Sequence, residues 1–254
     1  MRTKRVIPCL DVKDGRVVKG ISFVNLRDAG DPVEMAQVYD TEGADTVALL
    51  DITATNEKRK TFLDVISKVS KVLNVPLVVG GGITCLEDIV AVIEAGADKV
   101  CINTAAFKDP DLLNRAVDVL GAEPIICAID ACFSNNANNT WKVCINGGRT
   151  ITDRDAVDWA IEARSRGASE ILLTSMDRDG TKEGYDLALT RAISGAIDIP
   201  VIASGGAGSL EHFAQGIQDA GADAVLAASV FHFGEFSIRQ VKDYLSARGI
   251  AVKL

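Results

Sequence analysis

Val6-Ile7-Pro8-Cys9-Leu10-Asp11-Val12-Lys13-Asp14-Gly15-Arg16-Val17-Val18-Lys19-Gly20 is the stretch on which the fold turns. An apolar run, Val6 to Leu10, ends in an acid and passes at once into a basic loop punctuated by glycine. A carboxylate at the C-terminal end of a strand, facing a loop that can fold over it, has the layout of a reaction site under a lid. The pattern recurs. Ile125-Ile126-Cys127-Ala128-Ile129 runs straight into Asp130, 119 positions beyond Asp11 in a chain of 254. The simplest reading is one site shared by two half-chains, with one acid from each.

Working outward, short β-rich apolar runs alternate with helical patterns along the whole chain. Strands are expected near Val6–Asp11, Thr46–Asp51, Leu77–Gly80, Lys99–Asn103, Ile125–Asp130, Glu170–Ser175, Val201–Ser204 and Ala224–Ala228. The runs are nearly continuous in apolar residues, as buried parallel strands are. Helix starts are marked between them. Asp31-Pro32-Val33-Glu34 supplies an N-cap, a first-turn proline and an acid at N3. Asp109-Pro110 repeats the cap and proline, and Thr152 with Asp155, and Ser209, are further caps. Gly43-Ala44-Asp45, Gly96-Ala97-Asp98, Gly167-Ala168-Ser169 and Gly221-Ala222-Asp223 each close a helix, glycine taking the left-handed position.

Eight such units predict an α/β fold, a (β/α)8 TIM barrel of about 250 residues, with an open doubly wound sheet as the alternative. The halves match. Gly43 and Gly167, like Gly82 and Gly206, stand 124 apart. That spacing suits one domain over 1–254 made of two duplicated half-barrels, about 1–122 and 123–254. Val12–Gly30 and Ala131–Ile151 exceed ordinary βα loops and read as lids or binding loops. Within the second, Trp141 to Ile145 and then Gly147-Gly148 suit a small hairpin.

Composition narrows the partners. With 27 Lys and Arg against 35 Asp and Glu, the formal charge is −8, which argues against nucleic acid or a membrane surface. Cys9, Cys85, Cys101, Cys127, Cys132 and Cys144 show no C-x-x-C pair, and beside only His212 and His232 they form no zinc pattern. They read as small core hydrophobes in a reducing cytosol, and both histidines read as structural. No signal-length apolar segment or membrane span is present, so a soluble cytoplasmic protein is expected. No metal and no cofactor are expected.

The polar residues at the strand ends suggest phosphate chemistry. Gly80-Gly81-Gly82 and Asn103-Thr104-Ala105 follow the third and fourth strands; Ser204-Gly205-Gly206 and Ala228-Ser229-Val230 follow the seventh and eighth. Backbone N–H groups at such glycines can approach an anion, and the last two loops of a barrel are the customary phosphate site. Two copies in register ask for a ligand with a phosphate at each end. Asp11 and Asp130 between them suit an acid and a base of different pKa. Asp51, at another strand end, suits substrate hydroxyls. Thr174 to Thr181 forms a polar sixth loop, and Lys19 is placed to reach over a bound anion.

Together, Cys9 to Gly20, Leu50-Asp51-Ile52-Thr53-Ala54, Gly80 to Ile83, Thr174 to Thr181 and Ala203 to Gly208 resemble the cyclase subunit of imidazole glycerol phosphate synthase, of histidine biosynthesis. The likeness runs from Arg5 to about Phe233. It implies a barrel that takes ammonia from a separate glutaminase subunit. The ammonia reacts with a bisphosphorylated formimino-aminoimidazole carboxamide ribonucleotide (PRFAR), giving imidazole glycerol phosphate and an aminoimidazole carboxamide ribotide (AICAR). By that likeness Asp11 and Asp130 match the general acid/base pair. Gly82, Asn103 and Thr104 match one phosphate site, and Asp179, Gly180, Gly206, Ala228 and Ser229 the other. Lys19 matches a substrate-sensing lysine of the mobile loop.

The family also passes ammonia through a ring of charged residues at the strand starts. Arg5, Lys99 and Glu170 match that ring, and Thr46 stands where the family has an acid. An unbalanced buried ring is costly, so another acid, water or a looser gate is implied. Asp98 matches a contact to the glutaminase. No cysteine here has a histidine partner for glutaminase chemistry, so another chain supplies the ammonia. The rival readings are the sister isomerase of the same pathway and a non-catalytic phosphate-binding scaffold barrel. The first loop and Asp177 to Thr181 favour the cyclase.

Overall fold

The structure, a computed structural model, describes residues 3–21, 24–52, 59–135 and 140–254, with the side chains of 19–21, 24–27, 29 and 59–61 left aside. Its residues group into two compact units. Met1–Cys101 with Leu226–Leu254 forms one, and Ile102–Val225 the other.

In the first unit, β1 (Arg5–Lys13) is buried from Val6 through Val12. A strand covered on both faces has no polar side to alternate with, hence the unbroken apolar run. Two antiparallel strands, β2 (Arg16–Ile21) and β3 (Val24–Gly30), extend from its end. The stretch expected as a lid loop is therefore largely a ribbon. Asp14 and Gly15, with φ of 53° and 79°, form the two-residue turn that joins Lys13 to Arg16. Two left-handed residues match the twist of an antiparallel pair, so Asp-Gly flanked by Val12 and Val17 was the signal for it. Helix α1 (Pro32–Thr41) starts where expected, with the Asp31 carboxylate accepting from Val33 N and Glu34 N. Strand β4 (Val47–Asp51) runs parallel to β1, with Asp11 beside Leu50 and Val12 beside Asp51. After α2 (Arg59–Ser70), β5 (Leu77–Gly80), α3 (Leu86–Glu94) and β6 (Lys99–Ile102) continue the alternation, both strands parallel to their predecessor.

In the second unit, α4 (Thr104–Lys108) and α5 (Asp111–Leu120) precede β7 (Ile125–Ser134). Asp109 is not the expected cap. It closes α4, and its carboxylate pairs with Arg115 at 2.7 Å, while Pro110 precedes α5 without a side-chain cap. The long segment after Asp130 is again mostly strand: β7 continues to Ser134, and β8 (Thr140–Ile145) and β9 (Thr150–Asp155) fold back antiparallel. This bears out the small hairpin. Thr152 lies in β9 and donates to Val143 O, so the cap of α6 (Ala156–Ser165) is Asp155 alone. Strand β10 (Glu170–Ser175) pairs in parallel with β7, and β11 (Val201–Ser204) with β10. Helix α7 (Leu187–Ser194) lies between them in sequence, and α8 (Leu210–Gln218), capped by Ser209 as expected, follows β11. The chain then makes β12 (Ala224–Ala227), which leads back into the first unit, α9 (Ser229–His232) and α10 (Ile238–Ala247).

Eight strands (β1, β4, β5, β6, β7, β10, β11 and β12) are thus each followed by a helix, and the fold is the expected (β/α)8 barrel class. Among the described residues, no helix is long and apolar enough to cross a membrane.

The Gly-Ala-Asp triplets do more than end helices. Gly43, Gly96, Gly167 and Gly221 all have positive φ, as expected. The acid two positions on then reaches back to the preceding parallel strand: Asp45 accepts from Val6 N at 2.8 Å, Asp98 from Leu77 N at 2.8 Å and Asp223 from Val201 N at 3.2 Å. Ser169 makes the inverse contact, donating to Ile125 O. The three carboxylates thus each accept from a backbone N–H at a strand start, and Ser169 adds a second donor to a carbonyl that its own N–H already reaches.

The cysteines depart from expectation. Cys9, Cys101 and Cys127 are buried thiols, but Cys132 and Cys144 form a disulfide across β7 and β8. The ladder brings their Cα atoms to 6.3 Å, a span a disulfide bridges. Which two cysteines meet depends on strand register, which their positions in the linear sequence do not reveal.

Candidate active site

In the second unit the site is built around Asp130. Thr174 of β10 lies beside it in the parallel register, and Cys144 of β8 opposite it in the antiparallel one. Burial in the sheet raises the Asp130 carboxyl to about 6; the Asn103 amide, donating to the carboxylate, pulls the other way, and the nearby Asp179 charge adds to the rise. Asn103 precedes α4 yet makes no cap with its side chain, which leaves that amide for Asp130. Sequence-expected Asn103, Asp130, Thr174 and Asp179 therefore come together. Thr104 is engaged by the hairpin: its hydroxyl accepts from Asn146 N at 2.9 Å.

The glycines here have a packing reason. Gly205 and Gly206 have φ of 92° and 100°. A Cβ on Gly205 would meet Ser175 O at 2.8 Å, and one on Gly206 would overlap the Gly184 carbonyl. Gly184 N–H donates to Gly206 O at 2.7 Å, so Ser204-Gly205-Gly206 lies backbone against backbone on the loop that carries Asp179 and Gly180. His212, expected as structural, accepts from Gly208 N in the same segment.

The loop after β10 also holds the hairpin, through Asp177, read from sequence only as part of a polar loop, and through Asp186, which the sequence reading passed over. Asp177 accepts from Phe133 N at 2.6 Å. Asp186 accepts from Trp141 Nε1 at 3.2 Å and Ser175 Oγ at 3.4 Å while capping α7 through Leu189 N. Asp186 could have been found as an acid just ahead of a helical pattern; Asp177 carried no local signal.

In the first unit Asp11 is 7% exposed, with the Cys9 thiol 3.7 Å from its Oδ1. Asp51, at the end of β4, lies under the glycine loop: a Cβ on Gly81 would meet Asp51 N at 2.8 Å. This is the stacking seen at Gly205, 124 positions earlier. Gly82 follows with φ of 63°. Lys19 lies on β2, and its side chain is outside the described residues, as are Thr53 and Ala54 of the Asp51 motif. Ala228 and Ser229 stand at the turn from β12 into α9. His232, also expected as structural, meets the Tyr39 hydroxyl through Nδ1 at 2.7 Å.

The residues matched to a charged ring stand at strand starts: Arg5 opens β1, Lys99 opens β6 and Glu170, 4% exposed, opens β10. Thr46, 3% exposed, precedes β4 and donates to Asp45 O. Asp45 does not stand in for the missing acid, because its carboxylate serves Val6 N and the buried Lys242 ammonium at 2.7 Å. The Asp98 carboxylate is likewise committed to Leu77 N.

Among the described residues, no group of three or more His, Cys, Asp and Glu is placed to hold a metal ion. Compared with known protein families, residues 5–237 match the model described as "Histidine biosynthesis protein".

Proposed function

Since this match spans nearly the whole chain, the protein belongs to the histidine biosynthesis protein family, and from that premise we propose that it is the cyclase of imidazole glycerol phosphate synthase. In this reading it is a lyase subunit that converts PRFAR and ammonia into imidazole glycerol phosphate and AICAR. The observation that supports a proton-transferring enzyme of this family is Asp130, a carboxyl held near 6 by burial yet hydrogen-bonded to Asn103, and the resemblance of the first loop and of Asp177 to Thr181 favours the cyclase. A group that titrates close to neutrality can both take and return a proton.

Forming a C–N bond with ammonia requires loss of a proton from nitrogen, and breaking the old one requires a proton on the leaving nitrogen. Asp130 serves one transfer and Asp11 the other. By the resemblance, Asn103, Thr104, Asp179, Gly180, Ser204, Gly206, Gly82, Asp51, Lys19, Ala228 and Ser229 are the substrate-binding residues. Thr174, in register with Asp130, orients the reacting group. By the same resemblance Arg5, Lys99 and Glu170, with Thr46 at the departing position, are assigned to ammonia entry, and a glutaminase subunit is the supplier.

The sister isomerase of the family shares these features, so the test must separate the two. Purified chain with PRFAR and an ammonium salt at alkaline pH, where more free ammonia is present, should lose the substrate's ultraviolet absorbance and incorporate nitrogen. Isomerisation of the preceding bisphosphate without nitrogen incorporation would assign the sister reaction. Binding with neither turnover would sink the enzymatic reading.

A further inference from the structure

Asp130 and Cys132 are two apart on β7, so their side chains share one face of the strand. Cys144 lies opposite Asp130 in the β7–β8 ladder. The Cys132–Cys144 bridge therefore crosses the ladder diagonally on the face that carries the acid. Cys132 is 9% exposed and Cys144 fully buried, so Cys132 is the sulfur of the pair that a reductant reaches. The remaining cysteines compete poorly for exchange. Cys9, Cys101 and Cys127 are buried, and burial pushes the Cys127 thiol up to about 12 and also raises the Cys85 thiol.

We propose that Cys132 and Cys144 form a dithiol–disulfide site that takes a dithiol reductant and sets how firmly the Asp130 segment is held. A reductant thiolate attacks Cys132 Sγ, the protein S–S bond breaks, and Cys144 leaves as a thiolate that takes up a proton. The second reductant thiol attacks the mixed disulfide and closes as the oxidised reductant, and Cys132 is protonated. Two electrons and two protons pass to the protein. A cross-link over 12 positions restricts the open hairpin far more than the closed one, so its loss raises the frequency of opening. Asp177 on Phe133 N and Asp186 on Trp141 Nε1 still tether the two strands, so the reduced hairpin loosens without detaching.

The activity arm of the test rests on the proposed function; the exchange arm does not. Air-equilibrated protein is compared with protein treated with dithiothreitol. The reduced form should gain two hydrogens in intact mass. Its amides at 130–134 and 141–144 should exchange roughly tenfold faster. With ammonium and PRFAR its kcat should fall several-fold at unchanged KM. The Cys132→Ser/Cys144→Ser double variant should match the reduced protein and ignore dithiothreitol; if that variant does not fold, the wild-type comparison carries the test. Lack of a bridge in the air-equilibrated protein, or equal exchange in both forms, would overturn the proposal. Equal kcat with unequal exchange would overturn its link to Asp130. Unequal exchange with no turnover in either form would leave the site standing and remove the cyclase reading.

Discussion

Asp130 is destabilising by design of its surroundings. Its carboxyl titrates at about 6 in the folded chain against an ordinary value of 3.8. Below the ordinary value the group is protonated whether folded or unfolded, and there is no penalty. As pH rises from 3.8 to about 6, the unfolded chain releases its proton more readily, so folding loses stability across that window. Asp130→Asn should therefore unfold later than wild type above pH 6 by on the order of 2 kcal/mol, with the gap closing by about pH 4. Urea titrations at several pH values would check this, and a gap independent of pH would contradict it. The same change should lower turnover by roughly 10²–10⁴, because an amide carries no proton between bonds. Wild-type turnover should change through pH 6, rising there if Asp130 is the base of the pair and falling if it is the acid.

At the scale of elements, the Gly-Ala-Asp endings show one motif doing unequal work. Asp98 and Asp45 occupy the same place and accept the same kind of strand N–H. Asp98 is exposed, whereas the Asp45 side chain is 9% exposed and faces Lys242, at 3%. Removing a carboxylate from an exposed site costs about 1 kcal/mol for the lost hydrogen bond. Removing one that neutralises a buried ammonium costs about 3–5 kcal/mol. Asp45→Ala should thus shift the urea midpoint several times further than Asp98→Ala, and equal shifts would mean that Lys242 does not depend on Asp45. The hairpins add a second lesson. Asp14-Gly15 turns β1 into β2, so what reads as a flexible lysine-bearing loop begins as paired strand.

For the whole molecule, the departure at Thr46 bears on how the proposed ammonia supply is controlled. Thr46 is buried, and the adjacent acid is spent on Lys242. Thr46→Glu would put an acid at the position where the family resemblance expects one. The expected result is slower glutamine-coupled turnover with a glutaminase partner and little change with free ammonium. A coupled rate unaltered by the substitution would remove Thr46 from any gating role.

The sequence alone determined the alternating elements, most helix ends and the acids Asp11 and Asp130 on β1 and β7, although both strands run on past the acid at which they were expected to end. Those follow from local rules: unbroken apolar runs for buried strands, a capping carboxylate at Asp31, a left-handed glycine after a helix. Tertiary structure decided what those residues experience. Register across β7, β8 and β10 joined Cys132 to Cys144 and set Thr174 beside Asp130, and enclosure raised the acid's pKa. Backbone contact with the loop after β10 explained Gly205 and Gly206, which their place after a strand had suggested for an anion. Such pairings join positions tens of residues apart, and their energies depend on burial and distance, which exist only once the chain has folded.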